Sequence, residues 1–278
     1  MEEKNVILVT WDFTDKNVFA LEHAKQASKV LRSQIVALHI AKKESEIPVL
    51  QKKLEIDLAR YVSKNDPQTE GLVRTGTIFE TIGQTAEDIG ARMVFMGTHG
   101  IKGSQKFFGS WALKVIAHTK VPFVVVQAPP VGETQYKNIV FPLNYRKENK
   151  ECVNWLTFFS RYFNSKINVL VAKHTDINFK KGVESNILFL TKNFKTKNVN
   201  YVMDEAPGET DFVNEVVDYA QKIKADSLFV VTTRDIGFTD YLMGAHEQFL
   251  IANQYAMPVI CINPKPPKFG GSFSTSGS

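Results

Sequence analysis

The stretch MVFMGTHGIKGSQKFFGSWALKVIAHTKVPFVVV, residues 93–126, decides the fold of this chain. It opens with the apolar run MVFM, which is typical of a strand buried in a parallel sheet. A glycine-containing loop follows, and Gly109-Ser110 begins a helix that leads to a second apolar run, FVVV. Glycine lets the backbone approach a ligand closely, and a helix start offers unpaired N–H donors and a positive dipole end. The pattern therefore predicts a strand, a loop and a helix that together hold phosphate.

The residues before this stretch alternate between apolar runs and amphipathic segments. Strands are predicted at 6–11, 34–40 and 71–76, and helices from Thr14 or Asp15 to Leu31, at 47–65 and at 78–90. The second helix is predicted to turn its apolar residues inward: Val49, Leu50, Leu54, Leu58 and Tyr61. The order β-α-β-α-β-α-β-α-β predicts a parallel sheet with helices on both faces.

The same alternation of apolar runs and amphipathic segments then repeats in the second half of the chain. It stops near Pro129–Gly132 and restarts with NIVFPLN at 138–144, which matches VILVTWD at 6–12. The offset between matching segments rises from about 132 to about 136, as small loop insertions would produce. The sequence therefore predicts an α/β protein made of two tandem, doubly wound, parallel five-stranded sheets.

The domain boundaries follow from this repeat. We predict a first domain at residues 1–132, a second at 133–265 and a disordered tail at 266–278, which lacks apolar periodicity. We expect the two domains to pack as an internal pseudo-dimer. Pairing of FVVV with VICI of the second half would cover two apolar edges.

Composition limits the classes of partner and compartment. The net charge of +5 suits an anionic ligand but is too small to indicate a nucleic acid partner. No apolar run reaches the roughly 20 residues of a membrane span, and the acidic start MEEK does not resemble a signal peptide. The two cysteines, Cys152 and Cys261, indicate buried free thiols and a reducing compartment. We therefore expect a cytoplasmic protein with neither a membrane nor a nucleic acid partner.

At this point the sequence resembles the universal stress protein family over nearly its whole length, as a tandem pair of domains. The resemblance rests on Asp12 at the end of the first strand, the H-I pair ending the second, the MGTHG loop, the Gly-Ser helix start and the T-K-V-P-F-V-V-V finish. It implies the adenine nucleotide alpha hydrolase-like fold. The nucleotide-binding branch of the family carries G-x2-G-x9-G-[ST] and binds ATP.

The resemblance implies a set of cofactor-binding residues in the first domain, with Mg²⁺ as a possible companion of ATP. Asp12 would contact the adenosine, Ile40 the adenine, Gly97 and Gly100 the ribose and phosphates, and Gly109 and Ser110 the phosphate oxygens. Each also has a structural explanation. Asp12 could end a strand and start the next helix, the glycines could serve turns, and Ser110 could cap a helix.

The chain departs from the family pattern in both domains. In the first, eight residues separate Gly100 from Gly109 where the pattern has nine. In the second, Val231 and Arg234 replace the two loop glycines, Ala245 replaces the hydroxyl residue and Asn144 replaces the aspartate. Because a Cβ crowds the backbone approach that glycine allows, the second domain is predicted not to bind ATP in the family manner.

Three functions remain in view at this stage. The first is a nucleotide-binding regulatory or stress-response module with little or no catalysis, so not an enzyme. The second is a protein that binds no ATP and acts through an unknown protein partner, with a further homodimer left open. The third is an enzyme acting on a small anion, for which His99 and Cys261 are the only candidates. The sequence contains no G-x4-G-K-[ST] phosphate loop.

Overall fold

The computed structural model describes residues 5–98, 116, 119, 121–132, 136–232 and 249–264. These residues form one ten-stranded sheet with helices on both faces. The first half contributes β1 (Val6–Thr10), α1 (Asp15–Leu31), β2 (Gln34–Ala41), α2 (Ile47–Leu58), β3 (Thr69–Thr75), α3 (Ile78–Asp88), β4 (Ala91–Gly97) and β5 (Phe123–Val126). The second half contributes β6 (Asn138–Leu143), α4 (Val153–Tyr162), β7 (Lys166–Val171), α5 (Ile177–Thr196), β8 (Tyr201–Glu205), α6 (Phe212–Lys222), β9 (Ser227–Val231) and β10 (Val259–Ile262).

The first half has the strand order β3-β2-β1-β4-β5, with all its strands parallel. Helices α1 and α2 pack on one face of the sheet through residues such as Leu21 and Leu54, whereas α3 packs on the other through Ile82 and Ala86. The chain thus changes faces between the neighbouring strands β1 and β4. The carboxyl ends of these two strands form the topological switch point, where open α/β sheets bind ligands.

The second half repeats this architecture in the order β10-β9-β6-β7-β8. Equivalent register positions give the offset directly. Val6 of β1 corresponds to Asn138 of β6 (138 − 6 = 132), and Phe123 of β5 corresponds to Val259 of β10 (259 − 123 = 136). The predicted duplication and its drift are confirmed.

Strands β5 and β10 join the two halves. They pair antiparallel, with Val125 opposite Val259, Val124 opposite Ile260 and Phe123 opposite Cys261. Every residue of both strands is buried. The predicted pairing of FVVV with VICI and the internal pseudo-dimer are therefore confirmed. Because the join is antiparallel, the carboxyl edges of the two halves lie on opposite sides of the continuous sheet.

The linker between the halves lies along α1. Three side chains of this helix donate to linker carbonyl groups: Lys16 Nζ to Gln127 at 3.1 Å, His23 Nε2 to Ala128 at 3.2 Å, and Gln26 Nε2 to Gly132 at 2.8 Å. The Gln127 side chain in turn donates to the carbonyl of Ile251 in the second half at 2.9 Å. The linker is therefore held against both halves.

His23 is the buried centre of this contact. Its Nδ1 lies 3.2 Å from the Tyr136 hydroxyl, and since Nε2 must donate to the Ala128 carbonyl, Nδ1 accepts the hydroxyl proton. Burial lowers the pKa of His23 from 6.5 to about 4, against the opposing effect of the Ala128 bond. The Tyr136 ring packs edge-on against Phe95 of the first half and Phe163 of the second. One linker residue thus touches the cores of both halves.

Two predictions for α2 are wrong. The helix ends at Leu58 rather than near residue 65. The chain turns there because the Lys25 ammonium of α1 binds the Tyr61 carbonyl at 2.6 Å and the Asp66 carboxylate at 3.1 Å. Val49, predicted to face inward, is 72% exposed, since Leu54 and Leu58 are the residues of this helix that reach the core.

The remaining predictions concern the cysteines, a membrane-spanning helix and the domain boundaries. Cys152 and Cys261 are buried free thiols, as expected. In the parts of the chain that the structure describes, no helix combines the length and apolar character needed to cross a membrane. The domain boundary near residue 132 stays a prediction, and residues 266–278 lie outside the described ranges.

Candidate functional site

The candidate site lies at the carboxyl edge of β1, β2 and β4. Asp12 follows β1, Ile40 is the penultimate residue of β2, and Gly97 ends β4. Since β1 lies between β2 and β4, the sheet brings these three predicted residues to the same edge. Gly100, Gly109 and Ser110 lie outside the described residues, as do His99 and the second-half residues Arg234 and Ala245.

Asp12 organises the start of α1. It is exposed, and its Oδ1 accepts from the backbone N–H of Thr14 at 2.9 Å and from the Thr14 hydroxyl at 2.6 Å. The same oxygen accepts from Nδ2 of Asn17, which is 2% exposed. The structural role considered for Asp12 is therefore present. All three bonds use Oδ1, and Oδ2 takes part in none of them.

The second half contains the same turn with a neutral residue. Asn144 Oδ1 accepts from the Arg146 N–H at 3.0 Å and from Asn149 Nδ2 at 2.9 Å. Asn144 and Asn149 correspond to Asp12 and Asn17 at the offset of 132. The turn needs only an acceptor oxygen five residues before a buried asparagine, and Asn supplies it as well as Asp. The negative charge of Asp12 is thus not required to form this turn.

Gly97 is required by packing. A Cβ at this position would lie 2.1 Å from the carbonyl oxygen of Lys16 and 2.5 Å from its carbonyl carbon, both in the first turn of α1. Backbone atoms cannot move aside as a side chain can. In the second half, where Val231 replaces this glycine, the segment equivalent to the first turn of α1 is a 3₁₀ turn at Lys147–Lys150, and α4 begins only at Val153. Gly97 therefore occurs in the half of the chain in which the first helix, α1, begins soon after the first strand, beside the candidate site.

Ile40 is half-buried and packs against the core beneath the edge, so it offers part of an apolar surface there. Its neighbour His39 is half-buried, and Nδ1 donates to the Trp11 carbonyl at 2.7 Å. The Phe13 ring lies 4.6 Å from the His39 ring, and the Lys53 ammonium lies 3.9 Å above the Phe13 ring. Phe13 adopts a left-handed φ of 64°. The edge thus combines aromatic surface with a cation.

Positive charge extends from the edge along α2. A surface groove of about 470 Å³ lies on the outer side of this helix, between Val49 and Ile56 and the cations Lys52, Lys53 and Arg60. Asp57 offsets part of this charge through Arg60, 3.3 Å away. In the described ranges no group of three or more His, Cys, Asp or Glu side chains could hold a metal ion.

The corresponding edge of the second half carries a cluster of aromatic rings. Tyr145, the counterpart of Phe13, stacks on Phe179 with ring centroids 4.2 Å apart and planes at 19°. The His174 ring meets Tyr145 edge-on at 5.2 Å. The His174 and Phe179 rings also meet, with centroids 5.4 Å apart, so the three rings form one cluster after the ends of β6 and β7.

Helix α5 closes this edge further. A Cβ at Gly182 would lie 2.9 Å from the Cβ of Tyr145, so the helix packs directly on the loop after β6. Asn186 is 1% exposed, and its Nδ2 donates to the carbonyls of Asn144 at 2.8 Å and Arg146 at 2.9 Å. The polar contacts of this loop are therefore made within the protein.

Several of these residues were not singled out from the sequence. Asn17 and Asn149 could have been found, because the repeat places an asparagine five residues after Asp12 and after Asn144. Lys53 and the carbonyl of Lys16 carried no signal, since their roles depend on how α1 and α2 pack.

The comparisons agree with this fold. The model of the universal stress protein family matches residues 4–127. The crystal structure of a universal stress protein from Archaeoglobus fulgidus DSM 4304 is similar over 94% of this chain and 96% of its own, with 13% identity and a TM-score of 0.72. A functionally unknown protein from Pseudomonas aeruginosa PAO1 is similar over 95% of this chain and 93% of its own, with 14% identity and a TM-score of 0.62. The search of curated proteins gave no significant match.

The family's sequence pattern thus lies in the first half, and the fold of that half recurs in the second with the same strand order. The fold of the whole chain is similar to that of a solved universal stress protein over nearly all its length. Residues 4–127 of this chain match the universal stress protein family, and the second half repeats the fold of this first half in tandem.

Proposed function

We propose that the first half of this chain binds an adenine nucleotide, ATP or a close relative, at the carboxyl edge of β1 and β4. The bound nucleotide would bias a conformation or a partner contact, in a regulatory or stress-response role with little or no catalysis. The observation that carries the proposal is the position of Asp12 and Gly97 on either side of the topological switch point. Open α/β sheets bind their ligands at this place.

The chemistry of the edge supports an adenine nucleotide. Asp12 Oδ2 can accept a hydrogen bond from a ribose hydroxyl or an adenine amino group, and Ile40 and Phe13 offer apolar surface to a base. Lys53 adds a positive charge beside the Phe13 ring. Mg²⁺ would accompany the phosphates as part of the same proposal, and Asp12 is the residue at this edge that could offer it a carboxylate.

The second half is proposed to lack this site. Its edge carries neutral Asn144 in place of Asp12, and a stacked pair of rings, Tyr145 and Phe179. A cytoplasmic location belongs to the proposal as well, because Cys152 and Cys261 are both free thiols.

The test is isothermal titration calorimetry with ATP, AMP and cyclic AMP, on wild type and on the Asp12→Asn variant. This variant removes the charge and keeps the turn, because Asn144 forms the same turn in the second half. Loss of a hydrogen bond to a charged group predicts binding about tenfold to a hundredfold weaker. Binding heat that Asp12→Asn does not change would place the ligand elsewhere, and no heat with any nucleotide would defeat the proposal.

A second candidate function is a protein that binds no nucleotide and acts through protein contacts. The observation in its favour is that Asp12 and Gly97 each have a structural role without any ligand. Denaturing the purified protein and searching the supernatant for nucleotide by chromatography and absorbance separates the two. Adenine nucleotide in stoichiometric amount supports the first function. A nucleotide-free protein that also gives no heat in calorimetry supports the second.

A further inference from the structure

Helix α5 is longer than its counterpart in the first half. At the offset of 132, the bounds of α2 correspond to residues 179–190, whereas α5 extends from Ile177 to Thr196. The added turns contain Lys192 and Lys195. The half of the molecule that has a closed ligand edge therefore carries an extra length of basic helix.

The outer side of α5 forms a stripe of exposed basic and apolar residues. At 3.6 residues per turn, positions 177, 181, 188, 192 and 195 lie within a narrow sector of the helix surface. They hold Ile177, Lys181, Leu188, Lys192 and Lys195, and we call this set the α5 stripe. Ile177 is 61% exposed and Leu188 is 72% exposed. The stripe is about 27 Å long at 1.5 Å per residue.

The lysines of the stripe lack acidic partners. The ion pairs resolved between described residues, Lys25 with Glu22 and Asp66, Arg60 with Asp57, and Arg74 with Asp88, involve none of these lysines. Lys181, Lys192 and Lys195 make none, and Glu184 is the one acid on the exposed part of this helix. Beside the stripe, Lys150 adds a further positive charge 5.6 Å from the Phe189 ring. The stripe therefore has a net positive charge that the protein does not neutralise.

The helix that carries the stripe is held rigidly. Asp176 caps it, with Oδ1 accepting from the N–H groups of Asn178 at 2.7 Å and Phe179 at 3.3 Å. Asn186 and Gly182 fix its inner side to the loop after β6. A partner would thus meet side chains on a preformed backbone, which lowers the entropic cost of binding.

From this geometry we infer that the α5 stripe is a docking surface for an acidic protein segment, one with glutamate or aspartate around two apolar side chains. The charge of the stripe selects the acidic partner, and Ile177 and Leu188 select its apolar residues. A second copy of this chain does not fit, because it would place lysine against lysine. This surface deepens the interaction role and is independent of nucleotide binding in the first half.

A lipid surface fits the stripe less well. Helices that lie on membranes present a continuous apolar side to the lipid. The apolar side of α5 is already occupied, since Leu190 and Phe194 are fully buried in the protein core. The two apolar residues of the stripe are eleven positions apart with lysine between them, and the other exposed rings of the helix, Phe179 and Phe189, contact Tyr145 and Lys150 rather than forming a continuous apolar side.

The test measures binding of a fluorescein-labelled, 20-residue helical peptide with two leucines eleven positions apart and glutamates beside them. The full chain is used without nucleotide, and binding is followed by fluorescence anisotropy. Wild type is compared with Lys192→Glu/Lys195→Glu and with Leu188→Ser. The matched control is Lys64→Glu/Lys222→Glu, which makes the same change of net charge at exposed positions outside α5. Circular dichroism verifies that each variant is folded.

The double variant on α5 is expected to bind the peptide at least tenfold more weakly, because two attractive contacts become repulsive. Leu188→Ser is expected to weaken binding severalfold, and the control to stay within about twofold of wild type. Equal loss in the control and α5 variants would overturn the inference, as would an absence of peptide binding. Binding to phosphatidylserine vesicles that depends on Lys192 and Lys195, with no peptide binding, would identify a membrane surface and overturn it too. A negative calorimetry result with nucleotides leaves these outcomes unaffected.

Discussion

Mild acid is expected to destabilise this protein through one buried histidine. His23 is 1% exposed, and its imidazole links α1 to the linker through the Ala128 carbonyl and the Tyr136 hydroxyl. Burial holds its pKa at about 4 in the folded protein, below the ordinary value of 6.5. Protonation at pH 5 would place a charge among apolar rings. The perturbation is therefore a change of pH from 7 to 5, compared between wild type and His23→Leu.

The sign and size of the change in the free energy of unfolding follow from the linkage between proton binding and folding. Between pH 6.5 and about 4 the unfolded chain binds a proton on His23 that the folded chain does not. The contribution of neutral His23 to the free energy of unfolding is fully present above pH 6.5 and is lost as the pH falls from 6.5 to about 4. It amounts to about 2 kcal/mol between pH 7 and pH 5, and to about 3 kcal/mol below both pKa values. His23→Leu removes this contribution, whatever its effect on stability at pH 7.

The assay is urea unfolding followed by circular dichroism at half-unit steps from pH 7 to pH 5. The free energy of unfolding of wild type should fall more steeply with acid than that of His23→Leu, by about 2 kcal/mol over the range. Tyr136→Phe is the matched control: it removes the hydroxyl partner but leaves the imidazole buried, so it should retain the steep dependence. Equal slopes for wild type and His23→Leu would refute the reasoning.

Three further predictions concern the turn, the glycine and the central strand pair. Asn17→Ala should destabilise the protein by about 2 kcal/mol, because its partner is a carboxylate, and Asn149→Ala by about 1 kcal/mol; equal effects in urea unfolding would contradict this difference. Gly97→Val should cost at least 2 kcal/mol, since its Cβ would meet a backbone carbonyl 2.1 Å away, whereas Val231→Gly should cost about 1 kcal/mol. Thermal unfolding that ranks these two variants the other way would contradict the packing argument. A fragment of residues 1–132 exposes β5 and should dimerise or aggregate, so a well-behaved monomer in light scattering would contradict the role given to the central pairing.

The sequence predicted the architecture because apolar runs and helical periodicity report burial directly. The pairing of β5 with β10 followed from two apolar edges that needed cover, and the structure places Val125 opposite Val259. The exposure of Val49 was not predicted, although Val49 lies about 140° around the helix from Leu54 and about 180° from Leu58. Its apolar character, rather than its position on the helix, led to the prediction that it faces inward.

The candidate site was only partly predictable. The sequence identified Asp12 and Gly97 through the family resemblance, and the structure adds local reasons for both. One is a turn with Asn17, and the other is contact with the Lys16 carbonyl. The second of these reasons depends on how α1 meets β4, which no single segment encodes. The closing of the second-half edge by Tyr145 likewise depends on the path of α5, although the loss of the loop glycines had indicated the outcome.

The position at which an adenine nucleotide binds tests the nucleotide proposal most directly. The decisive measurement is a crystal structure of the protein grown with a non-hydrolysable ATP analogue. We predict one analogue per chain, at the carboxyl ends of β1 and β4, with the nucleoside next to Asp12 and Ile40. Density at the Tyr145 edge of the second half instead, or no analogue in the first half at saturating concentration, would contradict the proposed function.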